Sequence, residues 1–143
     1  MTFKPVIVGT IQVRNKIKIL AIDDNLDVLH LLEEWLSEYD FEVIMAESAT
    51  EGLERAMSAP PDVVLTDVLM PDMDGIQLIH QLRKSFPDLW IVAMSGGGII
   101  LPAVTALNLS QAIGANRILN KPLRKLDLLA AICDHVNQDP VHQ

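Results

Sequence analysis

The sequence predicts an α/β fold, a doubly wound parallel sandwich. Three observations predict it. Five short runs rich in Val, Ile and Leu alternate with segments of helical period, and this alternation implies βαβ units with right-handed crossovers. The apolar runs read as buried parallel strands. Four of the runs end in a charged or hydroxylic residue, and in open α/β sheets ligand sites gather at the carboxyl ends of the strands. Five units in one short chain suggest a flavodoxin-like (βα)5 sandwich, a five-stranded parallel sheet in the order 2-1-3-4-5. That order is one of the standard examples of the fold class.

The elements follow in order. Strands are expected at Ile17–Ile22, Phe41–Ala46, Val63–Thr66, Trp90–Met94 and Arg117–Asn120. Leu26, Leu29, Leu32, Trp35 and Leu36 share one face of a first helix. Ala49, Leu53, Ala56 and Met57 mark a second, which Thr50 can help to start. Ile76, Ile79, Leu82 and Phe86 mark a third, ended before Pro87. Leu101 to Ile113 gives a fourth, stopped by Gly114, and Leu126, Leu129, Cys133 and Val136 mark a fifth.

The domain is expected over 17–137, with a tail over 138–143. Residues 1–16 fall outside the five units. Pro5 and Gly9 weaken a strand there, so this segment is read as a mobile N-terminal extension, with an added edge strand as the alternative.

Composition excludes several classes. A chain of 143 residues, half apolar and a fifth charged, is a single globular domain rather than a disordered one. Its net charge of −8 does not favour nucleic acid or anionic lipid as a direct partner. The charge is uneven: residues 1–22 carry Lys4, Arg14, Lys16 and Lys18 and no acid before Asp23. Cys133 is the only cysteine, so neither an intrachain disulfide nor a Cys-based zinc site is expected, which fits a reducing, cytoplasmic setting. No apolar run reaches the ~20 residues of a membrane span, and PVIVGTIQV does not read as a signal peptide.

The polar strand ends are Asp23-Asp24, Asp67, Ser95 and Lys121. Adjacent carboxylates repel unless a cation or hydrogen bonds compensate. With Asp67 they form a hard oxygen donor set that suits Mg²⁺ better than Zn²⁺. Asp23-Asp24-Asn25 can equally cap the first helix, and both roles can hold together. Asp67 can attack a phosphorus centre to give an acyl phosphate, although a lone Asp here reads as a turn residue. Pro71, Asp74 and Gly75 read as turn and helix-start residues. Ser95 precedes Gly96, Gly97 and Gly98, where backbone N–H groups can approach an anion. The nucleotide P-loop pattern is absent. Lys121 can pair with Asp67, or with a phosphoryl group on it, and the Lys121-Pro122 bond can be cis. His30 and His80 have no second His at metal spacing and read as surface residues. Trp35, Phe86 and Trp90 read as packing residues, and Cys133 as a small core residue.

The pattern IDD, LTDVLMPDMDG, MSG and NKP, over about residues 17–137, resembles the receiver domain of two-component response regulators. The resemblance implies that Asp67 accepts a phosphoryl group from a histidine kinase or a histidine phosphotransfer protein. It implies Mg²⁺ bound by Asp24, Asp67 and the backbone carbonyl of Leu69, with Asp23 acting partly through water. Ser95 and Lys121 would contact the phosphoryl oxygens.

The expected function is that of a single-domain, cytoplasmic signalling protein acting on a downstream protein target. Its chemistry would be limited to self-phosphorylation and autodephosphorylation. Two departures stand out. Ile118 occupies the place of the family's usual switch aromatic, and Ser95 and Lys121 stand farther apart than is usual. Both put the output surface, rather than the chemistry, in question. The alternatives are a phosphohydrolase of the haloacid dehalogenase class and a phosphorylation-independent pseudo-receiver. The first needs an acid two residues after its nucleophile, and Leu69 stands there. The second predicts missing acidic or Lys positions, and none is missing.

Overall fold

The computed structural model describes residues 5–8, 11–14, 16–68, 70, 75–96 and 113–137. Five parallel strands form the main sheet: β3 (Ile17–Ile22), β4 (Phe41–Ala46), β5 (Val63–Asp67), β6 (Trp90–Ser95) and β7 (Arg117–Asn120). Their spatial order is β4-β3-β5-β6-β7. Counted within this sheet, that is 2-1-3-4-5, the flavodoxin-like topology expected from the sequence.

The sheet is buried on both faces, and the two-residue period of a strand sorts its side chains between two cores. Leu20 and Ile22 of β3, Val64 of β5 and Ile91 and Ala93 of β6 pack with Ala49, Ala56, Leu78, Ile79 and Leu82. These belong to α2 (Ala49–Ser58) and α3 (Gly75–Ser85). Ile19, Ala21, Val63, Leu65, Val92 and Met94 pack on the opposite face with Leu29, Leu32, Leu36, Leu128 and Ile132. These lie on α1 (Leu26–Leu36) and on the last helix, α4 (Lys125–Asn137).

Helix starts follow local chemistry. Asn25 caps α1, its Oδ1 accepting from Asp27 N at 2.9 Å. Ser48, rather than Thr50, caps α2: its Oγ accepts from Glu51 N at 3.0 Å, and Thr50 is exposed inside the first turn.

Three apolar faces differ from the expectation. Leu26, at the start of α1, is exposed. Met57 is exposed. On α4, Leu128, Ala131, Ile132 and His135 are buried, while Leu126 and Cys133 are exposed. The run LDLLAAIC supports two helical stripes offset by less than a turn, and periodicity alone does not choose between them. Trp90 supplies the choice by donating its Nε1–H to Ala131 O at 2.9 Å. As expected, Trp90 is buried, Trp35 and Phe86 are half-buried, and His30 and His80 are exposed.

The fourth expected helix, Leu101–Ile113, lies outside the described residues apart from Ile113, which is buried. Before the main sheet, β1 (Pro5–Val8) and β2 (Ile11–Arg14) pair antiparallel as a separate two-stranded sheet, with Val6 opposite Val13. The sequence disfavoured strands in this segment, so the pairing corrects that reading. Pro5 stands at the first strand position, where a proline is tolerated.

The half-buried Arg83, near the end of α3, sits where several chain segments meet. Burial lowers its guanidinium from the ordinary value while Asp88 opposes that shift. Among the described residues, no helix is long and apolar enough to cross a membrane.

Candidate functional site

β3, β5, β6 and β7 are consecutive neighbours and run parallel, so their carboxyl ends stand side by side. Asp23 and Asp24 follow β3 directly. Asp67 is the last residue of β5 and Ser95 the last of β6, each one position beyond the expected strand end. Lys121 follows β7 directly and precedes a cis Lys121-Pro122 bond, and its N–H donates to Ser95 O at 2.7 Å. All five residues named from the sequence therefore lie on one rim of the sheet.

The Asp23 side chain is fully buried and well satisfied. Its Oδ1 accepts from Asn25 N at 2.9 Å, and its Oδ2 from Lys121 Nζ at 2.7 Å. Its own N–H donates to Ala46 O at 3.2 Å, which holds the turn against the end of β4. Asp23 thus braces the residue that caps α1, so capping and site formation are joined in one turn. Asp24 is exposed. Asp67 is buried, and its Oδ2 lies 3.6 Å from Lys121 Nζ.

Asp23, Asp24 and Asp67 each offer a carboxylate oxygen, and these oxygens lie within 4.8 Å of one another. Three hard donors this close, facing a single ammonium, suit a hard divalent cation with room for water, as Mg²⁺ requires. The fit rests on this donor set. Leu69 lies outside the described residues, as do Gly97 and Gly98.

Gly75 does more than the turn role read from the sequence. It opens α3, and its N–H donates to Val68 O at 3.1 Å. A Cβ built on it would stand 2.4 Å from Asp67 O and 2.5 Å from Val68 Cα. Only glycine lets α3 start against the backbone that carries Asp67. The sequence showed the glycine but not the close approach, because that approach depends on how α3 packs.

Ile118 is half-buried and packs against the core on the α2 and α3 side. It fills space there as an aliphatic residue.

Comparison with known proteins agrees with this architecture. The family model for the response regulator receiver domain matches residues 19–133. The response regulator MprA of Mycobacterium leprae is 34% identical over 115 residues, covering 80% of this chain and 49% of MprA. A response regulator receiver domain protein from Clostridium thermocellum superposes with a TM-score of 0.75 at 31% identity, covering 88% of this chain and 98% of that one. A CheY-like receiver domain protein from Methanospirillum hungatei gives 0.78 at 25% identity, covering 90% and 100%. The chain thus spans about half the length of the curated relative and nearly all of both solved domains.

Proposed function

Because the chain belongs to the family of response regulator receiver domains, we propose that Asp67 accepts a phosphoryl group from a phosphohistidine, with Mg²⁺ held by Asp23, Asp24 and Asp67. One observation carries this reading. A single ammonium, Lys121 Nζ, stands 3.6 Å from Asp67 Oδ2 within a cluster of three carboxylates.

In the proposed transfer an Asp67 carboxylate oxygen forms a bond to phosphorus. The phosphorus–nitrogen bond of the donor breaks, and its electron pair returns to the imidazole. The bound cation supplies neutralising charge to the nucleophile and the transferring group. Lys121 turns from Asp23 toward the new phosphoryl oxygens, where a charge-assisted hydrogen bond replaces the one it gives up. Ser95, at the end of the adjacent strand, donates its hydroxyl to a phosphoryl oxygen.

The donor is a histidine kinase or a histidine phosphotransfer protein in the cytoplasm, and a downstream protein reads the loaded state. This assignment makes the chain a phosphoacceptor rather than a catalyst acting on other molecules.

Incubation with phosphoramidate or acetyl phosphate and Mg²⁺, followed by intact mass measurement, tests the reading. The protein gains the mass of one phosphoryl group, and Asp67→Asn does not. An adduct that persists in the variant and maps to Ser95 or a histidine overturns the assignment.

A further inference from the structure

Arg83 makes five hydrogen bonds that no signalling role accounts for. Its Nε and Nη2 donate to Gly114 O at 3.2 and 2.8 Å. Its Nη1 donates to Pro87 O at 2.9 Å and to Leu89 O at 2.6 Å. Nη2 also donates to Asn116 Oδ1 at 2.9 Å. One planar guanidinium thus ties the end of α3 both to the entry of β6 and to the entry of β7.

Asn116 carries the connection into the sheet. Its Oδ1 accepts a second bond, from Ile91 N at 2.8 Å, and its own N–H donates to Ile91 O at 2.7 Å. Among the described residues β7 is an edge strand of four residues, paired on one side, with β6. Ile118 and Leu119 pack against opposite cores, and a slip of one residue would turn every side chain of the strand to the other face. The Asn116–Ile91 bracket fixes the entry end of the strand. At the exit end Lys121 N–H meets Ser95 O. Between the two, Arg117 faces Val92 and Asn120 faces Ser95. Where Asn116 is held therefore decides which residue arrives at the carboxylate cluster.

We propose that Arg83, acting through Asn116, is a positioning residue for Lys121: it locks the register of β7 and so sets the ammonium between Asp23 and Asp67. Arg83 itself stays at the opposite end of the strand: Asn116, which it holds, stands five residues before Lys121, about 17 Å along the chain at the ordinary rise per residue. Gly114, the only described residue with positive φ, at 88°, turns its carbonyl to the guanidinium in a conformation that favours glycine. The catalytic consequence rests on the phosphoacceptor reading above. The register lock does not.

Four variants test it in the full chain: Arg83→Ala, Asn116→Ala, Asn116→Asp and Lys121→Ala. Asn116→Asp keeps the accepting oxygen and Asn116→Ala removes it. Arg83→Ala and Asn116→Ala are expected to slow phosphorylation of Asp67 by phosphoramidate at saturating Mg²⁺ by about tenfold or more, since displacement of a catalytic group on the ångström scale carries such losses. Asn116→Asp is expected to stay close to the parent rate. In a Lys121→Ala background the Arg83 substitution should add little, because both act through one ammonium.

Hydrogen exchange reads the lock without phosphate. The Lys121 amide should exchange faster in Asn116→Ala, while the amides of β3 and β5 keep their protection. Unchanged Lys121 exchange in that variant overturns the register lock, whatever the phosphorylation result. Equal losses with and without Lys121 overturn the route through Lys121. If the parent takes up no phosphoryl group, the proposed function falls while the exchange result still decides the lock. Should Arg83→Ala fail to fold, the Asn116 pair carries the test.

Discussion

Lys121 Nζ lies closer to Asp23 Oδ2, at 2.7 Å, than to Asp67 Oδ2, at 3.6 Å. The ammonium thus rests on the carboxylate that is fully buried and leans toward the one at the end of β5. Asp24 completes the acidic cluster, while the Lys121 ammonium pairs with Asp23 and Asp67. The cluster keeps an excess of negative charge that a divalent cation can relieve.

Removing Lys121 is expected to lower stability most when no cation is present. Lys121→Met removes one of the two hydrogen bonds that the buried Asp23 carboxylate accepts among the described residues and leaves that from Asn25 N–H, and a loss of about 1–3 kcal/mol is expected. Mg²⁺ should recover part of that loss. Urea unfolding with and without the cation measures the difference, and an equal loss in both conditions counts against a shared charge.

Mg²⁺ is expected to raise the thermal midpoint of the parent protein. Binding to the native state alone contributes RT ln(1 + [L]/Kd), about 2.7 kcal/mol at one hundred times Kd. Asp24 is the exposed member of the cluster, and Asp24→Ala should remove most of the shift without disturbing the core. A shift that survives in the variant places the ion elsewhere.

Gly75→Ala should damage folding and phosphorylation together. The new methyl group falls 2.4 Å from Asp67 O, a backbone atom that cannot rotate away. Either α3 or the end of β5 must shift, at a cost of about 1–3 kcal/mol. A folded variant that keeps both parent stability and parent phosphorylation rate removes the argument for close approach.

Gly52 offers a matched test inside the core. In an exposed helix, Gly→Ala is favourable by about 1 kcal/mol. Here the added Cβ would meet Ile22 Cδ1 at 2.4 Å, and Ile22 is fully buried. Gly52→Ala should therefore destabilise. Ile22→Val, which removes Cδ1, should cost less in that background than in the parent. Coupling of about 0.5 kcal/mol or more is expected for such neighbours, and strictly additive losses in denaturation would show that the two residues do not touch.

Much of the fold was legible because burial on both sheet faces leaves apolar runs, as in ILAI and LWIVAM. The gathering of the candidate site residues on one rim was legible for a related reason. A polar residue that ends such a run must sit on the rim, and Asp23, Asp67, Ser95 and Lys121 all do. Contacts set by packing were not legible. The four backbone-carbonyl bonds of Arg83 leave no pattern in the neighbouring letters. The buried stripe of α4 was misread because its apolar residues nearly encircle the helix, and the indole of Trp90 decides which side docks. The pairing of β1 with β2 was missed because Pro5 and Gly9 were weighed as breakers, although a proline at the start of a strand breaks nothing.

The placement of Trp90 has an optical consequence. Its ring lies 5.1 Å from the Arg117 guanidinium and 5.9 Å from the His135 ring, and its Nε1 is bonded to Ala131 O. These neighbours come from β7 and α4, while Trp90 itself opens the strand that ends in Ser95. The chain therefore carries a native fluorophore on the seam between the edge strand and the last helix. Its emission would follow any shift of that seam without an attached dye, and Trp35→Phe would leave it as the only indole signal.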